Sequence, residues 1–355
     1  MKKINFYSGP AILPEEVLQQ ATEAIHDFAG TGLSILEISH RSKEFMKVME
    51  EARQLVKELM NLNPNYEVLF LQGGGSSQFY MAPMNLLNPD QTAAYFDTGQ
   101  WAHAAMEEAK NFGKVHVACS SLAEKYNHIP KLYDVPDMTR YVHLTSNNTV
   151  YGTQIHEWPG IKCPIVIDMS SDIFSRQLNY NQFGLIYAGA QKNAGAAGAT
   201  IVVVNKDFLG KVNRNIPRML DYRVHIEKES MLNTPSSFAV YVSYLTLKWI
   251  KKQGIRALEE KNIRKANKLY ASIDASSIFE GMVKKEDRSL MNVCFVMKDK
   301  SLEEKFLTYA VSQGIAGIKG YRTVGGFRAS IYNAMPESGV DVLTEAMAHF
   351  EKTIA

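Results

Sequence analysis

LIYAGAQKNAGAAGATIVVV, residues 185–204, carries two short apolar runs around a loop of small residues. Leu185 to Ala188 and Thr200 to Val204 have strand length and lack polar alternation, so they read as strands buried on both faces. Similar runs stand at Glu67 to Leu71, Ala93 to Asp97, Tyr141 to Thr145 and Ile165 to Met169. The helical segments near 77–87 and 101–111 suit crossover connections, which predicts an α/β fold: a mostly parallel sheet covered by helices.

Outward from this block the pattern becomes helical. Pro14-Glu15-Glu16 suits a helix start, with proline in the first turn and acids near the positive end of the dipole. Phe45, Met49, Ala52, Val56 and Leu59 recur at helical spacing after Ser42. A long helix is expected over 236–253, with Gly254 allowing a change of direction. From Arg256 the order becomes helix, strand (Met291 to Met297), helix (Ser301 to Gln313), strand (Phe327 to Tyr332), helix, the outline of a small α+β domain. The expected division is a large domain over 15–255 and a small one over 256–355, the latter joined by the N-terminal segment 1–14.

Composition narrows the function classes. Lys and Arg number 39 against 37 Asp and Glu, so no global field points to nucleic acid or an anionic membrane. Cys119, Cys163 and Cys294 are an odd number without metal-ligand spacing, which argues against a disulfide framework or a zinc site. No apolar stretch reaches membrane-spanning length and the start of the chain does not read as a signal peptide. A cytoplasmic protein with no metal is expected.

Two strand ends carry chemistry. Asp168 closes the run Ile165 to Asp168, and ligands of open α/β sheets bind at the carboxyl ends of strands. Lys192 follows the strand Leu185 to Ala188 within a loop of Gly and Ala, where confinement would lower its pKa and free the amine to attack a carbonyl. A strand-end Asp followed about two dozen positions later by a strand-end Lys meets the two needs of pyridoxal phosphate. The amine attaches the cofactor and the carboxylate keeps the pyridine nitrogen protonated. Gln72-Gly73-Gly74-Gly75-Ser76-Ser77, between a strand and a helix, could hold the phosphate on backbone N–H groups. Trp101, after Asp97-Thr98-Gly99-Gln100, could stack on a flat ring. Taken singly, each has a plainer reading: Asp168 as a turn cap, Lys192 as a solvated side chain, the glycines as a tight turn, Trp101 as core.

NFYSGPA (5–11), SHRSKEF (39–45), GGG (73–75), YAGAQKN (187–193), NTP (233–235) and GGFRASIYNA (325–334) together resemble the phosphoserine aminotransferase family, class V aminotransferases of fold type I. The likeness spans nearly the whole chain. It implies a large cofactor domain with a mostly parallel seven-stranded sheet between helices, plus the smaller α+β domain. It further implies that Lys192 carries the cofactor and shuttles the substrate proton, while Asp168 pairs with the ring nitrogen. Trp101 would stack on the ring, Thr149 would lie near its phenolic oxygen, and Gly75, Ser76 and Gln191 would hold the phosphate. Asn233 and Thr234 would reach the cofactor of the neighbouring subunit in a homodimer. His40, Arg41, Tyr321, Arg322 and Arg328 match anion-binding positions for substrate carboxylate and phosphate, a task that suits the paired donors of arginine.

The implied reaction is a reversible ping-pong transfer from glutamate to 3-phosphohydroxypyruvate, giving O-phosphoserine and 2-oxoglutarate. Extension to 4-phosphohydroxy-threonine would link it to vitamin B6 synthesis. Two positions depart from many relatives: Tyr321 stands where a His is common, and Ser76-Ser77 follows the glycines where some have Gly-Arg. Rival readings are another class V transaminase, such as alanine–glyoxylate or serine–pyruvate aminotransferase, a cysteine desulfurase using Cys119, and a non-catalytic protein of the same fold.

Overall fold

The computed structural model describes residues 3–354; Met1, Lys2 and Ala355, which belong to the expected segments 1–14 and 256–355, lie outside the described residues. The chain opens with β1 (Ile4–Asn5), α1 (Glu15–His26) and α2 (Lys43–Leu59). The Ser42 hydroxyl caps α2 by accepting the Phe45 N–H at 3.2 Å, and Phe45, Val48, Met49, Ala52, Leu55 and Val56 form its buried face.

The central block then follows as β2 (Tyr66–Leu71), α3 (Gly74–Leu86), β3 (Thr92–Asp97), α4 (Gln100–Ala109), β4 (Lys114–Ser120), β5 (Thr139–Thr145), β6 (Ile165–Asp168), β7 (Leu185–Gly189) and β8 (Thr200–Asn205). These seven strands form one sheet in the order β2-β8-β7-β6-β5-β3-β4. Only β8 runs against its neighbours, pairing antiparallel with both β2 and β7. Every residue of β6 and β7 is buried, which is why both appear in the sequence as unbroken apolar runs. The short α5 (Tyr222–Glu227), α6 (Ser237–Gln253) and α7 (Ile255–Ala275) come next, and Gly254 at φ 80° supplies the left-handed joint between the last two.

Beyond α7 lie β9 (Phe279–Gly281), β10 (Asn292–Met297), α8 (Glu303–Ser312), β11 (Ile315–Ala316), β12 (Phe327–Ser330) and α9 (Glu337–Ile354). A three-stranded antiparallel sheet, ordered β12-β10-β9, packs with α7, α8 and α9 around a core that includes Phe279, Phe295, Phe306 and Phe327. Phe6 is fully buried in that same core, and β1 pairs in parallel with β11. The first residues of the described chain therefore pack beside its last third.

The expected strands and helices all form, with shifts at their ends. The strand anticipated to Tyr332 stops at Ser330, and the helix anticipated from Ser301 begins at Glu303, after a 3-10 turn over Lys300–Leu302. The strands that were not anticipated are the ones without a continuous apolar run. In β4, an edge strand, only Ala118 is buried and Val117 is 46% exposed. The strands β1, β9 and β11 are only two or three residues long. Among the described residues no helix is long and apolar enough to cross a membrane.

Candidate active site

The parallel strands β5, β6 and β7 end side by side, with Thr145 opposite Asp168 and Asp168 opposite Tyr187. Their carboxyl ends open into a cavity of about 760 Å³, counted to its solvent-facing mouth. Asp168, Lys192, Gly75, Ser76, Trp101, Thr149, Gln191, Tyr321 and Arg328 all line it. Residues scattered over more than two hundred positions thus converge at one end of the sheet.

Asp168 is held at the floor. Its Oδ1 accepts the Ser170 N–H at 2.8 Å, and Ser170 Oγ accepts the Gly189 N–H at 3.1 Å, which ties the end of β6 to the end of β7. Gly75 lies above it in the first turn of α3. A Cβ on Gly75 would come to 3.1 Å from Ser170 Oγ and 3.9 Å from Asp168 Oδ2, so the missing side chain keeps the floor open.

Lys192 follows β7 on a turn in which the Ala194 N–H donates to Ala190 O at 3.1 Å. Its neighbour Asn193 is clamped from two sides: Nδ2 donates to Ser171 O at 3.2 Å, and Oδ1 accepts the Asn333 N–H at 3.0 Å. Gly9, from the N-terminal segment, packs on the lysine stem, where an added Cβ would stand 3.4 Å from Lys192 Cγ. The small residues after Lys192 have another purpose than approach to a ligand. A Cβ on Gly195 would lie 2.7 Å from Ser243 Cα, and one on Gly198 3.1 Å from Ala239 Cβ, so these glycines let α6 pack against the loop.

Burial pushes the Lys192 ammonium below the ordinary lysine value; the Asp168 charge opposes this and Arg328 adds to it. Burial raises the Asp168 carboxyl, with the Lys192 charge and the Ser170 hydrogen bonds working the other way. Each group is thus the main electrostatic support of the other in a poorly solvated space. A lysine with a lowered pKa holds more free amine near neutrality, the form that attacks carbonyl carbon.

The cavity wall is polar. Trp101 Nε1 donates to Thr149 Oγ1 at 3.2 Å, and Arg328 Nη1 donates to Thr149 O at 3.0 Å. Two groups on this wall, Arg328 Nε and Thr145 Oγ1, are buried without a hydrogen-bond partner. Such groups are costly to leave unpaired.

The other expected site residues lie elsewhere. His40 and Arg41 occupy the turn before α2, the first half-buried and the second exposed, and neither lines this cavity. Asn233 and Thr234 also lie outside it: Asn233 Nδ2 donates to Gln72 Oε1 at 3.2 Å, and Gln72 Nε2 to Thr234 O at 3.4 Å. Arg322, beside Tyr321, is exposed. Conversely, Ser8, Gly9, Phe79, Thr145, Asn147, Ser170 and Ser171 line the cavity without having been singled out for it. Thr145 carried a usable signal, since it ends a strand as Asp168 does.

Cys294 is buried in β10 and Cys119 half-buried in β4. Burial pushes the Cys119 thiol up to about 12, with the Asp97 charge adding to it, and burial does the same to Cys294. Neither is a ready thiolate.

The class-V aminotransferase profile matches residues 4–343. A phosphoserine aminotransferase of Parabacteroides distasonis is 53% identical over 355 residues, covering 99% of each chain. Among solved structures, the phosphoserine aminotransferase of Bacillus circulans subsp. alkalophilus is 43% identical with a TM-score of 0.97, covering 100% of this chain and 99% of that one. The pyridoxal-phosphate-bound phosphoserine aminotransferase of Trichomonas vaginalis is 33% identical with a TM-score of 0.93, covering 98% of this chain and 100% of that one.

Proposed function

Because the chain belongs to the class V aminotransferases, we propose that it is a pyridoxal-phosphate-dependent phosphoserine aminotransferase, moving the amino group of glutamate to 3-phosphohydroxypyruvate to give O-phosphoserine and 2-oxoglutarate. The observation that carries this reading is the meeting of Lys192 and Asp168 in one cavity with Arg328 on its wall, in a chain similar over its full length to phosphoserine aminotransferases.

The residues present fit the cofactor. Asp168 offers a buried carboxylate to a ring nitrogen, Gly75 leaves the space above it open, and Thr149 offers a hydroxyl on the wall. Gly75 and Ser76, at the N-terminus of α3, together with Gln191 would hold the phosphate. When bound, pyridoxal phosphate supplies an electron sink at the α-carbon of the amino acid. Gly75→Val is expected to weaken cofactor binding by at least ~10-fold by crowding Ser170 and filling the space above Asp168, read by titration of cofactor absorbance. Unchanged binding would remove Gly75 from the site.

The chain's own residues then have distinct tasks. Lys192 anchors the cofactor, and its Nζ takes and returns the proton at the substrate α-carbon. Asp168 keeps a negative charge at the floor, and Trp101 covers the ring face. Arg328 binds a substrate oxyanion. Tyr321 adds a neutral hydrogen-bond donor in place of a histidine. Arg328→Ala is expected to raise the substrate KM by ~10-fold or more while retaining bound cofactor, since a charge-assisted hydrogen bond is lost; loss of cofactor would contradict the assignment.

His40, Arg41, Asn233 and Thr234 do not line their own chain's cavity, so their expected roles would be exercised across a homodimer contact. Leu33, Leu36 and Met46, 46%, 64% and 53% exposed, supply apolar surface near His40 and Arg41 for such a contact. Arg322 would join them as an exposed anion-binding group. The division into a domain over 15–255 and one over 256–355 with segment 1–14 is supported by the separate core that Phe6 shares with β10 and β12. Free thiols at Cys119, Cys163 and Cys294 suit a reducing cytoplasm.

A substrate panel with glutamate as donor tests the reading. Phosphohydroxypyruvate should exceed pyruvate and glyoxylate in kcat/KM by ~100-fold or more, because the oxyanion donors go unpaired without the phosphate. Negligible turnover of phosphohydroxypyruvate beside efficient use of glyoxylate or pyruvate would favour another class V transaminase. Turnover of 4-phosphohydroxy-threonine would extend the role to vitamin B6 synthesis.

A further inference from the structure

Tyr332 and Asn333, two consecutive residues beyond β12, do not line the cavity, yet each is one contact away from the chain around Lys192. The first route runs through the N-terminal segment. The Ser330 N–H donates to Phe6 O at 3.2 Å, and two residues further on the Tyr332 hydroxyl donates to Ser8 O at 2.8 Å. Beyond Ser8 the segment crosses the lysine. A Cβ on Gly9 would stand 3.4 Å from Lys192 Cγ and 3.7 Å from Lys192 Cε, and the Ala11 N–H donates to Gln191 O at 2.9 Å. The main chain over 6–11 is therefore pinned to the end of β12 at one flank and to the lysine loop at the other, with Gly9 lying along the stem between them.

The second route is shorter. The Asn333 N–H donates to Oδ1 of Asn193, the residue next to Lys192, at 3.0 Å. The direction of these bonds is set by their partners. A carbonyl carries no proton, so Tyr332 donates to Ser8 O, and its oxygen is left to accept Asn292 Nδ2 at 3.1 Å. Asn193 receives a backbone N–H on its oxygen and gives its NH₂ to Ser171 O at 3.2 Å, which leaves it one orientation.

The segment that makes both contacts is itself held from behind. Lys265 and Asn262 lie one turn apart on α7. Lys265 Nζ donates to Ile331 O and Tyr332 O, both at 2.7 Å, and Asn262 Nδ2 donates to Asn333 Oδ1 at 2.8 Å. Lys265, Asn262, Tyr332 and Asn333 are each at most 1% exposed, so water does not compete for these bonds. We propose that Tyr332 is a positioning residue for the reactive lysine: by holding Ser8 it keeps Gly9 against the Lys192 stem, while Asn333 holds Asn193, so that the amine is presented at one place. The proposal rests on the reading of Lys192 as the amine that carries the cofactor. A free lysine stem has many rotamers, and fixing it before reaction removes that disorder from the barrier.

Tyr332→Phe keeps the shape and removes only the hydroxyl. In cofactor-free enzyme, the pH midpoint for modification of Lys192 by an amine-reactive reagent, read on the Lys192 peptide, should move to higher pH by ~0.5 unit or more, because a loosened strap relieves the burial that lowers the Lys192 pKa. In loaded enzyme, kcat with phosphohydroxypyruvate should fall by ~10-fold while KM stays within ~3-fold, the pattern of a misplaced reacting group rather than a lost substrate contact. Asn193→Ala releases the second hold and should move the midpoint the same way. Tyr66→Phe is the matched control. The Tyr66 hydroxyl donates to Asn181 O at 2.8 Å and Phe183 O at 2.9 Å, ahead of β7 at the end of the sheet away from the cavity. Its loss should lower thermal stability and leave both the midpoint and kcat unchanged. A midpoint in Tyr332→Phe that stays in place or moves to lower pH, or an equal shift in Tyr66→Phe, would overturn the proposal. Failure of the underlying reading would show separately, as borohydride-fixed cofactor recovered away from Lys192 in the unmodified enzyme.

Discussion

Lys192→Ala should lower transamination by at least ~10⁴-fold, since one side chain supplies both the covalent anchor and the proton carrier, and such roles are not replaced independently. The cofactor should still bind, because the carboxylate of Asp168 and the N-terminus of α3 remain. Binding and catalysis should therefore separate, with cofactor absorbance retained while turnover is lost. A small amine such as methylamine should restore a little activity by entering the vacated space. A fully buried lysine elsewhere in the fold makes the test specific. Lys265 is 1% exposed, and its Nζ donates to Ile331 O and Tyr332 O, both at 2.7 Å, in the interior beside α7. Borohydride-fixed cofactor recovered on the Lys265 peptide, or activity of Lys192→Ala within ~10-fold of the unmodified enzyme, would refute the assignment.

Asp168→Asn should cost roughly 10²–10³-fold in kcat, the scale of removing one preorganised electrostatic partner from a buried site. The substitution keeps the shape and the contact with the Ser170 N–H, so the fold should persist. It also changes Lys192 in a direction that can be stated in advance. The Asp168 charge is the leading influence raising the Lys192 pKa against its burial. Without it the pKa should fall further below the ordinary lysine value, and the amine should be free at lower pH. In cofactor-free enzyme, the pH profile for modification of Lys192 by an amine-reactive reagent should move to lower pH in the variant. A shift to higher pH would mean that the two groups do not face each other.

Much of the fold was legible because burial leaves a local mark. In β6, β7 and β8 the central residues have neighbours on both faces, so their side chains are apolar without interruption. The α2 helix repeats its apolar residues at helical spacing and places Ser42 before the first turn. By contrast, β4 lies at the edge of the sheet and faces water over most of its length, and its composition does not separate it from a loop. The two residues of β1 owe their conformation to β11, more than three hundred positions away. No local pattern contains that pairing.

Asp168 and Lys192 were legible as strand-end residues of the right chemical types. Thr145 had the same position but a chemically quiet side chain. The glycines after Lys192 were visible as a demand for close approach, and what approaches proved to be α6. The neighbours that complete the site, from Ser8 to Asn147 and Ser171, have side chains whose meaning depends on what faces them.

What this sequence determines alone is therefore the set of elements and the presence of a strand-end Asp and Lys suited to pyridoxal phosphate, because periodicity, capping and residue chemistry act over a few positions. The tertiary structure alone decides that β5, β6 and β7 end side by side, that Gly9 lies on the stem of Lys192, and that Trp101 meets Thr149. Strand order and the packing of distant segments are set by the joint burial of all faces at once, and no single stretch of chain encodes them.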